Sequence, residues 1–397
     1  MFEAVQLAPP DAILGLTEAY KADPNSEKIN LGVGIYKDVL GETPLLETVR
    51  EAAKRVVAAQ STKAYLPIPG QPGYCDAVQR LAFGEGHEVV ESGRAFTAHT
   101  PGGTGGLRVT GDFLKQNLPG ATLHVTSPTW SNHKPIFESA GVPTSPVPYF
   151  DQSTNGLAFG EFLDAITKLP AGDAILLHGC CHNPTGIDPS IEQWRQVADA
   201  VYDSGLLPVI DFAYQGFAQG IEEDAAGMRE FARPGAELVV CCSFSKNFGL
   251  YRERVGAITF VAANASRVQA VGSQVKRCIR TLYSNPPAHG AELVTTILGD
   301  PDLVCHWHGE VAAMRERING MRRLLVAKLD EHGAAGDYSF ITSQRGMFSF
   351  SGLTKPQVEQ LRVEDSIYIV DSGRINVAGI TEKNVDRLCS AIARVTK

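Results

Sequence analysis

The chain lacks any uninterrupted apolar run long enough to span a bilayer, so an integral membrane role by a spanning helix is not expected. It has no excess of basic residues: 36 Lys and Arg stand against 44 Asp and Glu, a formal charge of −8. A nucleic-acid binder leaves a basic stripe, and none is present, so no nucleic-acid partner is predicted. No block of like charge forms a tail. The start, Met1-Phe2-Glu3-Ala4-Val5-Gln6, lacks the basic and apolar segments of a secretory signal, and a cytoplasmic location is expected. The eight cysteines include no C-x-x-C pair. Without export they read as small apolar fillers rather than disulfides or a zinc site. His306-Trp307-His308 has no acidic or thiol partner nearby, and no metal is assigned.

What is present is an ordinary globular composition, 44% hydrophobic and 20% charged, over 397 residues. That length buries a large core and predicts two domains. Through the middle of the chain, short apolar strands alternate with helical stretches. Strands are predicted at Leu123–Val125, Ala174–His178, Leu206–Asp211, Leu238–Cys242 and Gly256–Val261, with a helix at Ile191–Asp203 introduced by Asp188-Pro189-Ser190. Such alternation argues for an α/β fold, a largely parallel sheet with helices on both faces. One long amphipathic helix is predicted from about Val311 to Leu329. After it, short elements at Tyr338–Phe340, Gly346–Ser351, Pro356–Glu364 and Arg374–Val377 suggest a smaller α+β domain.

In open α/β sheets ligands sit beyond the carboxyl ends of the strands. Asn183, Asp211 and Lys246 all fall at such ends, and Tyr214 follows Asp211 closely. A lone lysine at a strand end is most often a surface residue. Partly desolvated, however, it becomes a nucleophilic amine suited to Schiff-base chemistry with pyridoxal phosphate. That cofactor needs an acid for its pyridine nitrogen, a lysine for its aldehyde and donors for its phenolate oxygen. Asp211, Lys246, and Asn183 with Tyr214 supply these. Its phosphate needs a cradle, and Pro101-Gly102-Gly103-Thr104-Gly105-Gly106 precedes a helical stretch, Leu107–Leu114. No Gly-Lys-Ser/Thr ending marks a nucleoside triphosphate loop, and the dinucleotide fingerprint is absent there. Ser243, Ser245 and Arg254 are candidates to complete the phosphate site.

The segment Ser243–Gly256, SFSKNFGLYRERVG, resembles the cofactor-lysine signature of class I pyridoxal-phosphate-dependent aminotransferases, the aspartate and aromatic subgroup in particular. The likeness extends over residues 30–38, the Thr100–Gly105 loop, CCHNPTGID at 180–188, DFAYQGF at 211–217, YSNPPAHG at 283–290, GMFSFSGLT at 346–354 and SGRINVAG at 372–379. It implies the fold type I of pyridoxal-phosphate-dependent transferases, with a mostly parallel seven-stranded sheet sandwiched by helices. It also implies an N-terminal arm at 1–14, a small domain at 15–43 and 313–397, and a large cofactor-binding domain at 44–312. Trp130 matches the residue that stacks on the cofactor, and Gly103 and Thr104 match its phosphate loop. Arg374 matches the arginine that holds the substrate α-carboxylate, and Gly34 a backbone contact near it. Arg280 matches the arginine that binds a substrate's side-chain carboxylate from the other subunit. Tyr65 matches the tyrosine that reaches the partner's phosphate. A homodimer with shared active sites follows from these matches.

The resemblance implies transamination between L-aspartate and 2-oxoglutarate in two half-reactions, with Lys246 moving the proton between the substrate Cα and the cofactor's C4′. Aromatic amino acids are an alternative, alone or as a second specificity. The chain keeps Lys37, Thr43, Thr104 and Asn285 as dicarboxylate-preferring members do, but departs at Ile35 and Ala64. A lyase on the same fold is a remoter alternative. A catalytically idle regulatory protein would be expected to lose Lys246, Asp211 or Arg374, and all three are present.

Overall fold

A computed structural model describes residues 1–7 and 14–397. The arm expected at 1–14 falls partly on residues 8–13, outside the described residues. The chain divides into two compact units. One comprises Met1–Thr43, Pro184–Gly186 and Arg317–Lys397, the other Pro44–Asn183 and Ile187–Glu316. No helix among the described residues is long and apolar enough to cross a membrane.

The larger unit is built on a seven-stranded sheet. In spatial order its strands are Ala95–Pro101, Val255–Val261, Leu238–Ser243, Leu207–Phe212, Ala174–His178, Leu123–Ser127 and Thr144–Pro148. Val255–Val261 runs antiparallel to both neighbours, while the other pairs are parallel. The central strands are apolar along their length because both faces are covered. Every residue of Ala174–His178, Leu238–Ser243 and Val255–Val261 is buried. Leu107, Val109 and Leu114, from the helix Gly102–Asn117, join Val125, Leu176, Val209, Val239 and Ile258 in one core cluster. Each such side chain contributes roughly 1.5–3 kcal/mol when fully buried.

The helix Ile191–Asp203 has the bounds its pattern predicts. Ser190 and Gln193 close a reciprocal capping box at its start, and Trp194, Val197, Ala198 and Val201 line its buried face. The reversed strand has a local cause. Phe244–Arg254 holds turns instead of a crossover helix, and a chain without a crossover returns antiparallel. Two strands escape the sequence pattern. Ala95–Pro101 carries Thr97 and His99 into the core, with Thr97 Oγ1 bonded to Thr259 Oγ1 at 2.8 Å. Thr144–Pro148 contains Pro146 and Pro148, which remove amide donors and suit an edge.

In the smaller unit, Ile29–Asn30 pairs parallel with Ile367–Tyr368, and Phe348–Phe350 pairs antiparallel with Arg374–Asn376. The helix Lys355–Asp365 stops at Ser366, which adopts φ 56°, and Val385–Thr396 buries Leu388, Cys389 and Ile392. Tyr338–Phe340 belongs not to a strand but to the start of a 3₁₀ turn, Ser339–Ser343. Buried Arg322 donates to the carbonyls of Gly346 and Phe348 and to Ser349 Oγ. The long helix extends further than its pattern predicts, from Pro301 to Glu331, and the boundary between the units falls within it.

His99 is fully buried against the Tyr74 ring, centroids 4.7 Å apart, and neither of its ring nitrogens has a partner among the described residues. Burial pushes its pKa down from 6.5 to about 4. The folded state therefore favours the neutral ring: the contribution is complete above pH 6.5 and is lost as pH falls toward 4. His99→Phe, which keeps a ring beside Tyr74, should remove about 3 kcal/mol of the stability loss between pH 7 and pH 4. Urea midpoints at the two pH values check this. An undiminished pH dependence in the variant would contradict it.

Candidate active site

Asp211 sits next to last in Leu207–Phe212, in register with His178, the final residue of Ala174–His178. Both are buried. Burial alone pushes the Asp211 carboxyl up, but a hydrogen bond from His133 and the nearby His133, His178 and Lys246 hold it below the usual carboxylate range. His133 Nε2 lies 3.1 Å from Asp211 Oδ2, and His133 Nδ1 lies 2.7 Å from Thr129 Oγ1. An ionised carboxylate needs a donor, so Nε2–H donates to Asp211 and Nδ1 accepts the Thr129 hydroxyl. The second histidine is different. Neither nitrogen of His178 has a partner among the described residues, and burial, followed by His133, pushes its pKa down to about 3 despite Asp211. It stays neutral and adds no competing charge. Ligand atoms of His133, His178 and Asp211 lie within 4.8 Å of one another, so Asp211 is the one buried anion of a three-residue group.

Lys246 follows Leu238–Ser243 on a turn closed by Gly249 N–H to the Lys246 carbonyl, 3.0 Å, with Gly249 at φ 64°. Its amine lies 5.0 Å from the centre of the Tyr214 ring. Burial pushes its pKa below the usual lysine value, Asp211 opposes that, and Arg254 adds to it. The turn is pinned by Trp307, whose fully buried indole donates to the Asn247 carbonyl at 2.7 Å and stacks on Phe248 at 4.3 Å. The central residue of the His-Trp-His triplet is thus an anchor for the lysine loop. Asn183 is buried, and its Oδ1 has no partner among the described residues. Trp130 meets the His133 ring edge-on at 5.2 Å.

The glycine run departs from the expected loop. The helix begins at Gly102 itself, so Gly102, Gly103, Thr104 and Gly105 form its first turn, which carries no acidic residue. Gly102 adopts φ 68°, and a Cβ there would lie 2.6 Å from Arg254 Nη2. A Cβ at Gly103 would lie 3.1 Å from Ser243 Cβ. Ser243 Oγ is 3.3 Å from Ser245 Oγ, which in turn accepts from Arg254 Nη1 at 3.3 Å. A helix N-terminus, two buried hydroxyls and a guanidinium therefore converge, the donor set of an anion site.

In the smaller unit, Arg374 is buried, donates to the Gly32 carbonyl and lies 4.2 Å from the centre of the Phe348 ring. Asn376 holds the carbonyls of Val33 and Ile35 at 2.6 and 2.9 Å. Gly34 is pressed on Phe348, where a Cβ would sit 2.7 Å from Cζ. Two expected site residues stand apart: Tyr65 is 91% exposed, and Arg280 is exposed with its guanidinium on Ser284 Oγ. Sequence reasoning missed Thr129, His133 and His178. The available signals were His133 three residues after Trp130 and His178 closing a predicted strand.

The model of the family described as aminotransferase class I and II matches residues 26–392. The chain belongs to that family. It is 51% identical to an aspartate aminotransferase of Salmonella typhi and 51% identical to one of Escherichia coli K12, with all of each chain covered. Among solved structures it is similar to an aromatic-amino-acid aminotransferase from Burkholderia pseudomallei covalently bound to pyridoxal phosphate. That match has a TM-score of 0.97, 46% identity and full coverage of both chains.

Gly102→Val should displace the Arg254 guanidinium and weaken binding of inorganic phosphate at least about tenfold, the order of one charge-assisted contact. Equilibrium binding measures this; undiminished affinity in a folded variant argues against the cradle.

Proposed function

We propose that this aminotransferase moves the amino group of L-aspartate to 2-oxoglutarate, giving oxaloacetate and L-glutamate, with pyridoxal phosphate held on Lys246. The carrying observation is the lysine amine 5.0 Å over the Tyr214 ring, its pKa lowered, in the same unit as a buried and ionised Asp211. The residues fit the cofactor's polar handles. The first turn of Gly102–Asn117, including Gly103 and Thr104, with Ser243, Ser245 and Arg254, suits the phosphate. Asp211 suits the pyridine nitrogen. The Tyr214 hydroxyl and the Asn183 side-chain N–H suit the phenolate oxygen as donors, and Trp130 suits a ring face. When bound, pyridoxal phosphate supplies the electron sink that amino transfer requires.

Lys246 would hold the cofactor, and its amine would carry the proton between the substrate Cα and the cofactor's C4′. Asp211, kept charged by His133, holds the pyridine nitrogen's proton. Arg374 binds the substrate α-carboxylate, Gly34 and Asn183 are further substrate-binding residues, and Arg280 binds the distal carboxylate. Both half-reactions use one site, so kinetics are ping-pong. Residues 44–312 serve as the cofactor-binding domain, with 15–43 and 313–397 as the smaller one.

The exposure of Tyr65 and Arg280 in a single chain supports a homodimer in which each completes the other's site. Buried cysteines with no disulfide suit a reducing cytoplasm. Lys246→Ala should abolish transamination, at least about 10⁴-fold in kcat, while leaving the fold intact by circular dichroism. Substantial turnover would refute the lysine's role. The aspartate reading draws on the full-length relatives at 51% identity. Aromatic substrates form the second reading, favoured by Ile35 and Ala64 and by the likeness to the Burkholderia enzyme. Catalytic efficiency should be higher for aspartate than for phenylalanine by about tenfold or more, the scale of one lost ionic contact. The reverse order would assign the aromatic specificity.

A further inference from the structure

Asn183 and Tyr214 ride on two loops, and each loop is gripped through its backbone by one carboxylate. Asp188 reaches back along its own loop. Its Oδ2 accepts from the Cys181 N–H at 2.7 Å and its Oδ1 from the His182 N–H at 2.9 Å, the two amides directly before Asn183. Cys181 adopts φ 52°, a conformation that a residue with a side chain takes up only when its surroundings enforce it. Asp224 does the same for the other loop. Its Oδ2 accepts from Gly216 N–H at 2.8 Å and Ala218 N–H at 2.9 Å. Its Oδ1 accepts from Gln219 N–H at 2.8 Å and Gly220 N–H at 3.3 Å. Four donors fill the capacity of a carboxylate, and they wrap the turn that leaves Tyr214. The loops also meet each other, with Cys181 Sγ 4.0 Å from the Tyr214 carbonyl oxygen. Asp188 and Asp224 line one cavity of about 490 Å³ together with Cys180.

We propose that Asp188 and Asp224 are positioning residues that set the reach of Asn183 and Tyr214 toward the cofactor's phenolate oxygen. They act through backbone amides and thereby govern the acid–base midpoint of the bound cofactor. The proposal rests on the reading of Asn183 and Tyr214 as donors to that oxygen. A hydrogen bond to an anion favours the anion, so a slack donor leaves the phenolate more basic. Asp188→Asn and Asp224→Asn keep the side-chain shape but replace an accepting oxygen with a donor, setting an N–H against a backbone N–H.

The test titrates the visible absorption of the holoenzyme from pH 5 to 10. The chains compared are wild type, D188N, N183A and D188N/N183A, with a matching set of D224N, Y214F and D224N/Y214F. Each Asp→Asn change should raise the midpoint by about half a unit or more. In the double variants it should add nothing beyond N183A or Y214F alone. An unmoved midpoint in a folded D188N or D224N, or fully additive shifts, would overturn the proposal. Should a variant fail to fold, wild-type protein freed of cofactor is followed by amide hydrogen exchange. The amides of Cys181, His182, Gly216, Ala218, Gln219 and Gly220 should exchange about a hundredfold or more slower than exposed turn amides. Exchange at exposed-loop rates would overturn it. A wild-type holoenzyme whose absorption does not titrate, or a cofactor attached elsewhere than Lys246, would defeat the functional reading instead; the amide result would still report on the grip.

Discussion

A negative charge kept almost entirely from water is the constraint around which the larger unit is arranged. Asp211 is ionised at a buried position, and an isolated buried carboxylate would take up a proton instead. Its charge persists because His133 donates to it, with Thr129 bonded to the other ring nitrogen of His133, and because the Lys246 amine lies close enough to lower its pKa. The same burial lowers the lysine's affinity for its own proton. Desolvation therefore accompanies both an anion kept by its donors and an amine with a weakened hold on its proton, and neither would hold those properties at the surface.

In each of the two units, irregular segments are held by side chains that satisfy the backbone rather than by regular structure. Trp307 holds the Asn247 carbonyl, Asp188 and Asp224 hold six amides between them, and Arg374 with Asn376 holds three carbonyls of residues 32–35. Irregular loops leave polar backbone groups without ladder partners, and each buried one costs about 1–3 kcal/mol if unmet. Loops at the carboxyl ends of strands can be exact in geometry only where such partners exist.

Much of the sheet was legible because its central strands are apolar on both faces, as in Ala174–His178, and because Ser190 announces its helix. Polar residues turned inward hid Ala95–Pro101, and prolines hid Thr144–Pro148. The sense of Val255–Val261 was not readable from an apolar run, which looks alike in either direction. Lys246, Asp211, Asn183 and Tyr214 were nominated from their places at or after strand ends, and the structure puts Asp211 next to last in its strand and the other three in the segments that follow strands. His133 and His178 were not, since their partnership with Asp211 joins residues 78 and 33 positions away, as the residue numbers and the His133 bond show. The glycine run was legible as a cradle, yet its helical start depended on Gly102 adopting φ 68°.

The prolines at the sheet's margin have an effect on handling as well as on shape. An open edge with a full row of amide donors is a template on which further chains polymerise. Pro146 and Pro148 erase two of those donors in a strand of only five residues. Crowded or concentrated solutions should thus find no continuous ladder to extend from that side.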